Sequence, residues 1–119
     1  MAQETKHVDS ELFRGQVKAA LDQHFQQLRE RARKLRELAA LAERLNARMA
    51  PLEPQGVDAY PYNQGGVCIT YVRNERHVNI RLAIGEPIRL QHWDDKAPMT
   101  TVWCANVGEA AQTAQKHLQ

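Results

Sequence analysis

The side chains able to hold a metal, attack a carbonyl or cradle a phosphate are few in this chain and poorly spaced for all three tasks. Its five histidines, His7, His24, His77, His92 and His117, show no paired helical spacing, and its two cysteines, Cys68 and Cys104, form no CxxC. The nearest approach to a ligand set is His92, Asp94 and Cys104 across two strands, short of the clustered pattern that zinc sites use. Cys104 with His117 has the residue types of a nucleophile and its base, but neither an orienting third group nor an oxyanion site accompanies them. Gly65-Gly66 precedes a strand rather than a helix, and no GxGxxG or GxxxxGK[ST] occurs, so the pair reads as a turn or bulge. The expectation is a protein that is not an enzyme and uses neither metal nor cofactor. Cys68 and Cys104 then read as two buried structural thiols.

The one concentrated feature is positive charge. Arg29, Arg31, Arg33, Lys34 and Arg36 stand with a single acid, Glu30, in eight residues, a net +4. At 100° per residue Lys18, Arg29, Arg33 and Arg36 fall on one flank of a Leu21/Leu28/Leu35 stripe. Such a row suits phosphates or an acidic protein surface. Glu30 with Lys34 and Arg33 with Glu37 are i,i+4 pairs, so the same row also fits a solvated helix face. Tyr60, Tyr62 and Tyr71 with Arg73 form a thinner basis for a stacking platform. Trp93 and Trp103, near strand ends, are expected to close an edge of the core.

These residues need elements to position them. The 119 residues suit one domain, and 43% apolar with 25% charged residues is a globular composition. The basic excess lies in the first half: residues 1–50 carry 10 basic and 7 acidic side chains, residues 51–119 carry 6 and 7. No run of 18 apolar residues exists and the N-terminus is polar, so a cytoplasmic protein with no membrane partner is expected.

The pattern predicts α+β: a tail over 1–8, a long amphipathic helix over 9–50, a loop over 51–66, an antiparallel sheet over 67–105 and a short helix over 106–118. Asp9 or Ser10 caps the first helix, with Val8 and Phe13 at the staple positions, and Pro51 and Pro54 end it. Leu21, Phe25, Leu28, Ala32 and Leu35 follow a seven-residue rhythm, as do Leu38, Ala42, Leu45 and Met49, with a phase slip between Ala32 and Leu38. Three prolines, two adjacent glycines and Tyr60-Pro61-Tyr62 give 51–66 its loop character. Period-two alternation predicts four meander strands, with Arg73-Asn74-Glu75-Arg76 closing the first hairpin. Asn106 with Glu109 has capping-box spacing for the last helix.

Forty helical residues make a rod of about 60 Å, more than four short strands can cover. Either the helix bends near Gly15 or at the phase slip, or it buries a seam against a second copy; a homodimer is the preferred expectation, with Leu35, Leu38, Ala42, Leu45 and Met49 as its seam. The leading expectation is a dimer whose basic face, Lys18, Arg29, Arg31, Arg33, Lys34 and Arg36, meets nucleic acid first and acidic protein second. The alternative is a small inhibitor or adaptor, of the kind phages and mobile elements carry, that binds a larger complex through its sheet and the 51–66 loop.

Overall fold

The computed structural model describes residues 9–119. The expected tail and the Val8 half of the staple lie outside them. Helix α1 runs Ser10–Met49, strands β1 to β5 run Gly56–Tyr62, Gly66–Arg73, Arg76–Ala83, Ile88–Asp94 and Thr100–Cys104, and helix α2 runs Val107–Leu118. Asp9 caps α1: its Oδ1 accepts from the N–H groups of Glu11 (2.9 Å) and Leu12 (3.3 Å), two donors the first turn leaves without partners. At the other end a 3-10 turn, Ala50–Leu52, carries Pro51, and Glu53 takes a left-handed conformation while donating to the Ala50 carbonyl. The chain divides into two compact units, Met1–Arg33 and Lys34–Gln119. The division falls at the phase slip between Ala32 and Leu38.

The sheet has five antiparallel strands in chain order, not four. The added strand is β1, inside the segment expected to be a loop, and it pairs with β2 from Gly56↔Val72 to Tyr62↔Gly66. Pro61 does not prevent this, because β1 is an edge strand and a residue without an N–H is tolerated there. The β2–β3 connection is tighter than expected. Only Asn74 and Glu75 turn, both at positive φ (53° and 66°), as a two-residue hairpin that follows the strand twist requires. Arg73 and Arg76 pair within the ladder.

Alternation gives the sheet two unlike faces. Ile69 and Tyr71 of β2, Val78, Ile80 and Leu82 of β3, Leu90 of β4 and Cys104 of β5 point to one face and are buried. Leu45 and Met49 from α1 and Val107, Ala110, Ala111, Ala114 and Leu118 from α2 complete this core. The alanine stripe lets α2 lie close to the strands. Asn106 caps α2 by accepting from the Glu109 N–H at 2.8 Å, and Glu109 accepts in return from the Ala105 N–H at 3.3 Å. Arg73 donates to the Leu118 carbonyl (2.9 Å) and Arg76 to that of Gln119, placing cations at the negative end of α2.

Candidate nucleic-acid interface

Within Met1–Arg33, α1 carries Lys18, Arg29, Arg31 and Arg33 on exposed positions; in the second unit Arg36 is exposed and Lys34 half-buried. Arg33 and Glu30 form a two-point pair, Nη2 to Oε1 at 2.6 Å and Nε to Oε2 at 3.1 Å. Both side chains are about half exposed, so the pair contributes little to stability and leaves the segment's net charge positive. Leu21, Phe25 and Leu28 are exposed beside this row, Leu28 by 59%.

The residues expected to form one dimer seam divide by environment. Leu45 and Met49 are fully buried in the chain's own core, against the sheet, and Leu38 and Ala42 pack partly on it. Leu35 alone among the five is exposed. The sheet takes the place assigned to a second copy at Leu45 and Met49, because a stripe at helical spacing records only that something covers it. A shallow groove lined by Leu35, Leu38, Ala39, Ala42 and Val67 lies beside this packing.

Within Lys34–Gln119 the second, open face of the sheet carries no helix, and strand pairing sorts its residues into cross-strand rows. One runs Asp58, Thr70, Asn79, Gln91, Thr101, and the next Tyr60, Cys68, Arg81, Arg89, Trp103. Asn79 Nδ2 donates to the Tyr60 hydroxyl (2.8 Å) and to Thr70 Oγ1 (3.0 Å). Arg81 is 6% exposed. Its guanidinium carbon sits 4.9 Å from the Tyr62 ring centre and 5.6 Å from that of Trp103, and its Nη1 donates to the Tyr62 hydroxyl at 3.2 Å. Rings at these distances hold a cation through their quadrupoles.

This corrects two aromatic expectations. Tyr60 and Tyr62 share the open face, but Tyr71 is fully buried on the other side, its hydroxyl donating to Asn46 Oδ1 at 3.1 Å, and Arg73 turns to α2. Burial pushes the Tyr71 hydroxyl up to about 12. Trp103 does not close the core; it lies 56% exposed on the open face, while Trp93 stacks on His77 at 5.3 Å. The alternation of β3 puts Arg81 on the face opposite Val78, Ile80 and Leu82, but its pairing with Arg89 depends on the register through the Gly85 turn, which the sequence does not state.

The expected ligand set does not assemble. Cys104 pairs with Ile88 at one end of β4 and Thr100 with His92 at the other, so His92, Asp94 and Cys104 do not converge. Asp94 Oδ1 instead accepts from the N–H groups of Lys96 (2.8 Å) and Ala97 (2.7 Å), bonds that hold its carboxyl below the usual range. Burial raises the Cys104 thiol, helped by Glu109 and opposed by a hydrogen bond with Thr113, which keeps it protonated rather than nucleophilic. His117 lies against His92, ring centres 4.2 Å apart, with its Nε2 3.3 Å from the Trp93 carbonyl oxygen. Burial and the neighbouring His117 lower the His92 imidazole, against a smaller pull from Asp94. Among the described residues no three His, Cys, Asp or Glu side chains are grouped to hold a metal, and no helix is long and apolar enough to cross a membrane. No protein-family model, curated protein or solved structure matches this chain.

Proposed function

We propose that this chain is a non-enzymatic, cytoplasmic binding protein, a helix-mediated homodimer whose basic α1 face takes an anionic partner, nucleic acid first and acidic protein second. The observation that carries the reading is the net +4 of residues 29–36 on a helix whose basic side chains reach solvent at Arg29, Arg31, Arg33 and Arg36. A second copy would meet Leu21, Phe25, Leu28 and Leu35, which keep a seven-residue rhythm and remain exposed in the single chain. A twofold pair doubles the row and so the number of phosphates within reach.

The test replaces Arg29, Arg33 and Arg36 with glutamine, which preserves helix propensity while removing three charges. Circular dichroism should be unchanged, and binding to DNA or RNA at about 50 mM salt should weaken. The slope of log affinity against log salt should become shallower by up to about 0.9 for each duplex phosphate that is no longer neutralised. Wild-type protein that binds neither duplex nor single strands under these conditions refutes the nucleic-acid reading. The inhibitor or adaptor reading then replaces it, favoured by Val57, 53% exposed on the edge strand β1, where a partner strand could add.

A further inference from the structure

We infer that the open face of the sheet is a docking surface for single-stranded nucleic acid, built on Arg81, Arg89, Trp103 and Tyr60. The inference extends the nucleic-acid reading to a second surface and rests on that reading only for the class of partner.

Arg81 and Arg89 are direct cross-strand partners, so two like charges face each other on one side of the sheet, an arrangement that disfavours folding. Glu86 forms only a loose ion pair with Arg81, Oε1 to Nη2 at 3.8 Å, longer than a charge-assisted hydrogen bond, so one carboxylate stands against two cations. The Nε atoms of both arginines are buried without a hydrogen-bond partner. Two opposed cations with one loose carboxylate partner leave a local positive charge at the Arg81–Arg89 pair, and a phosphate reaching the half-buried Arg89 would offset it. Arg81 is also fixed, flanked by Tyr62 and Trp103 within cation–π distance. A guanidinium so held loses little freedom when a ligand arrives.

The rings determine which anion fits. Trp103 and Tyr60 terminate the same cross-strand row, 56% and 44% exposed, with the two arginines between them. Five strands at about 4.8 Å put the row's ends roughly 19 Å apart, room for about four nucleotides, the small end of single-strand footprints. Unpaired bases can lie on Trp103 and Tyr60 while the backbone passes the arginines. A duplex keeps its bases stacked inside and would offer the rings nothing. Asp58, at the β1 end of the neighbouring row, repels phosphate and biases the backbone toward β3–β5.

The experiment uses the full chain with fluorescein-labelled oligothymidylate of about 12 nucleotides and a duplex of the same length, at about 50 mM salt. Trp93→Phe leaves Trp103 as the sole tryptophan, and the single strand should quench its emission. Trp103→Ala should weaken single-strand binding about fivefold to a hundredfold, Trp103→Phe should restore part of it, and Arg89→Gln should weaken it as well. Circular dichroism confirms that each variant is folded, and the exposure of Trp103 makes its replacement mild. If Trp103→Ala and Arg89→Gln bind as wild type, or if only the duplex binds and emission is unquenched, the inference is wrong. The glutamine variant of Arg29, Arg33 and Arg36 separates the two surfaces. Weakened binding there with Trp103→Ala unaffected leaves the helix reading and overturns this one; the reverse supports the sheet and removes the helix. No binding of either probe by wild type overturns both.

Discussion

Replacing Leu45 and Leu28 separately with alanine asks which part of α1 the chain itself holds down. Leu45 is wholly buried among the sheet and α2 residues of the core, whereas Leu28 keeps 59% of its surface in solvent. A buried leucine cut to alanine loses its transfer free energy and leaves a cavity, together about 2–5 kcal/mol. In a unit under about 100 residues each kcal/mol lowers Tm by about 4–8 °C, so Leu45→Ala should lose about 8–40 °C at any protein concentration. Leu28→Ala removes little that the single chain buries and should stay within about 0.5 kcal/mol at low micromolar concentration. If a second copy covers Leu28, a deficit must appear as concentration rises, because only the associated form buries that side chain. Thermal denaturation by circular dichroism across a hundredfold concentration range, with light scattering at each end, reads both effects. A Leu45→Ala destabilisation below about 1 kcal/mol would contradict burial of this leucine between helix and sheet. Wild type that stays monomeric at tens of micromolar, on the order of ordinary working concentrations, would end the dimer proposal.

Two further outcomes concern the sheet. Tyr71 ionises near 10 when unfolded but only at about 12 when folded, so its contribution is complete below pH 10 and is lost as pH rises from there through about 12; urea melts over that window should show less of this decline in Tyr71→Phe. In Gly66→Ala the new Cβ would stand 2.8 Å from the Leu82 carbonyl oxygen and 3.1 Å from Tyr62 Cδ2, and since the first is backbone the strand must shift, for a destabilisation of about 1–3 kcal/mol by chemical denaturation.

Much of this architecture is legible in the residues. Asp9 and Pro51 bracket α1, Asn106 and Glu109 open α2, and the alternation through Val78, Ile80 and Leu82 marks β3 because one of its faces is dry. β1 is illegible for the complementary reason. As an edge strand outside the core its residues stay largely exposed on both sides, so no alternation is imposed and Pro61 with the glycines dominates the pattern. The rhythm of Leu38–Met49 identifies a buried stripe correctly but not its cover, which at Leu45 and Met49 is the chain's own sheet. The Arg81–Arg89 pair lies beyond single-sequence reading unless the register through the Gly85 turn is known, since seven residues of chain separate two side chains that end up directly opposed.

Because every strand of the meander bonds only to its neighbours in the chain, the sheet can assemble by extension from one hairpin at a time, with small loops to close at each step. The two-residue turn at Asn74–Glu75 joins the two longest strands and so offers the shortest route to a first ladder. The same arrangement leaves β1 and β5 as two open margins, each with one row of backbone groups unpaired by the sheet. Growth from the middle is thus easy to begin and is not halted by closure into a barrel. The proline in β1 and the short length of β5 are what this chain sets against continued extension onto a neighbouring molecule.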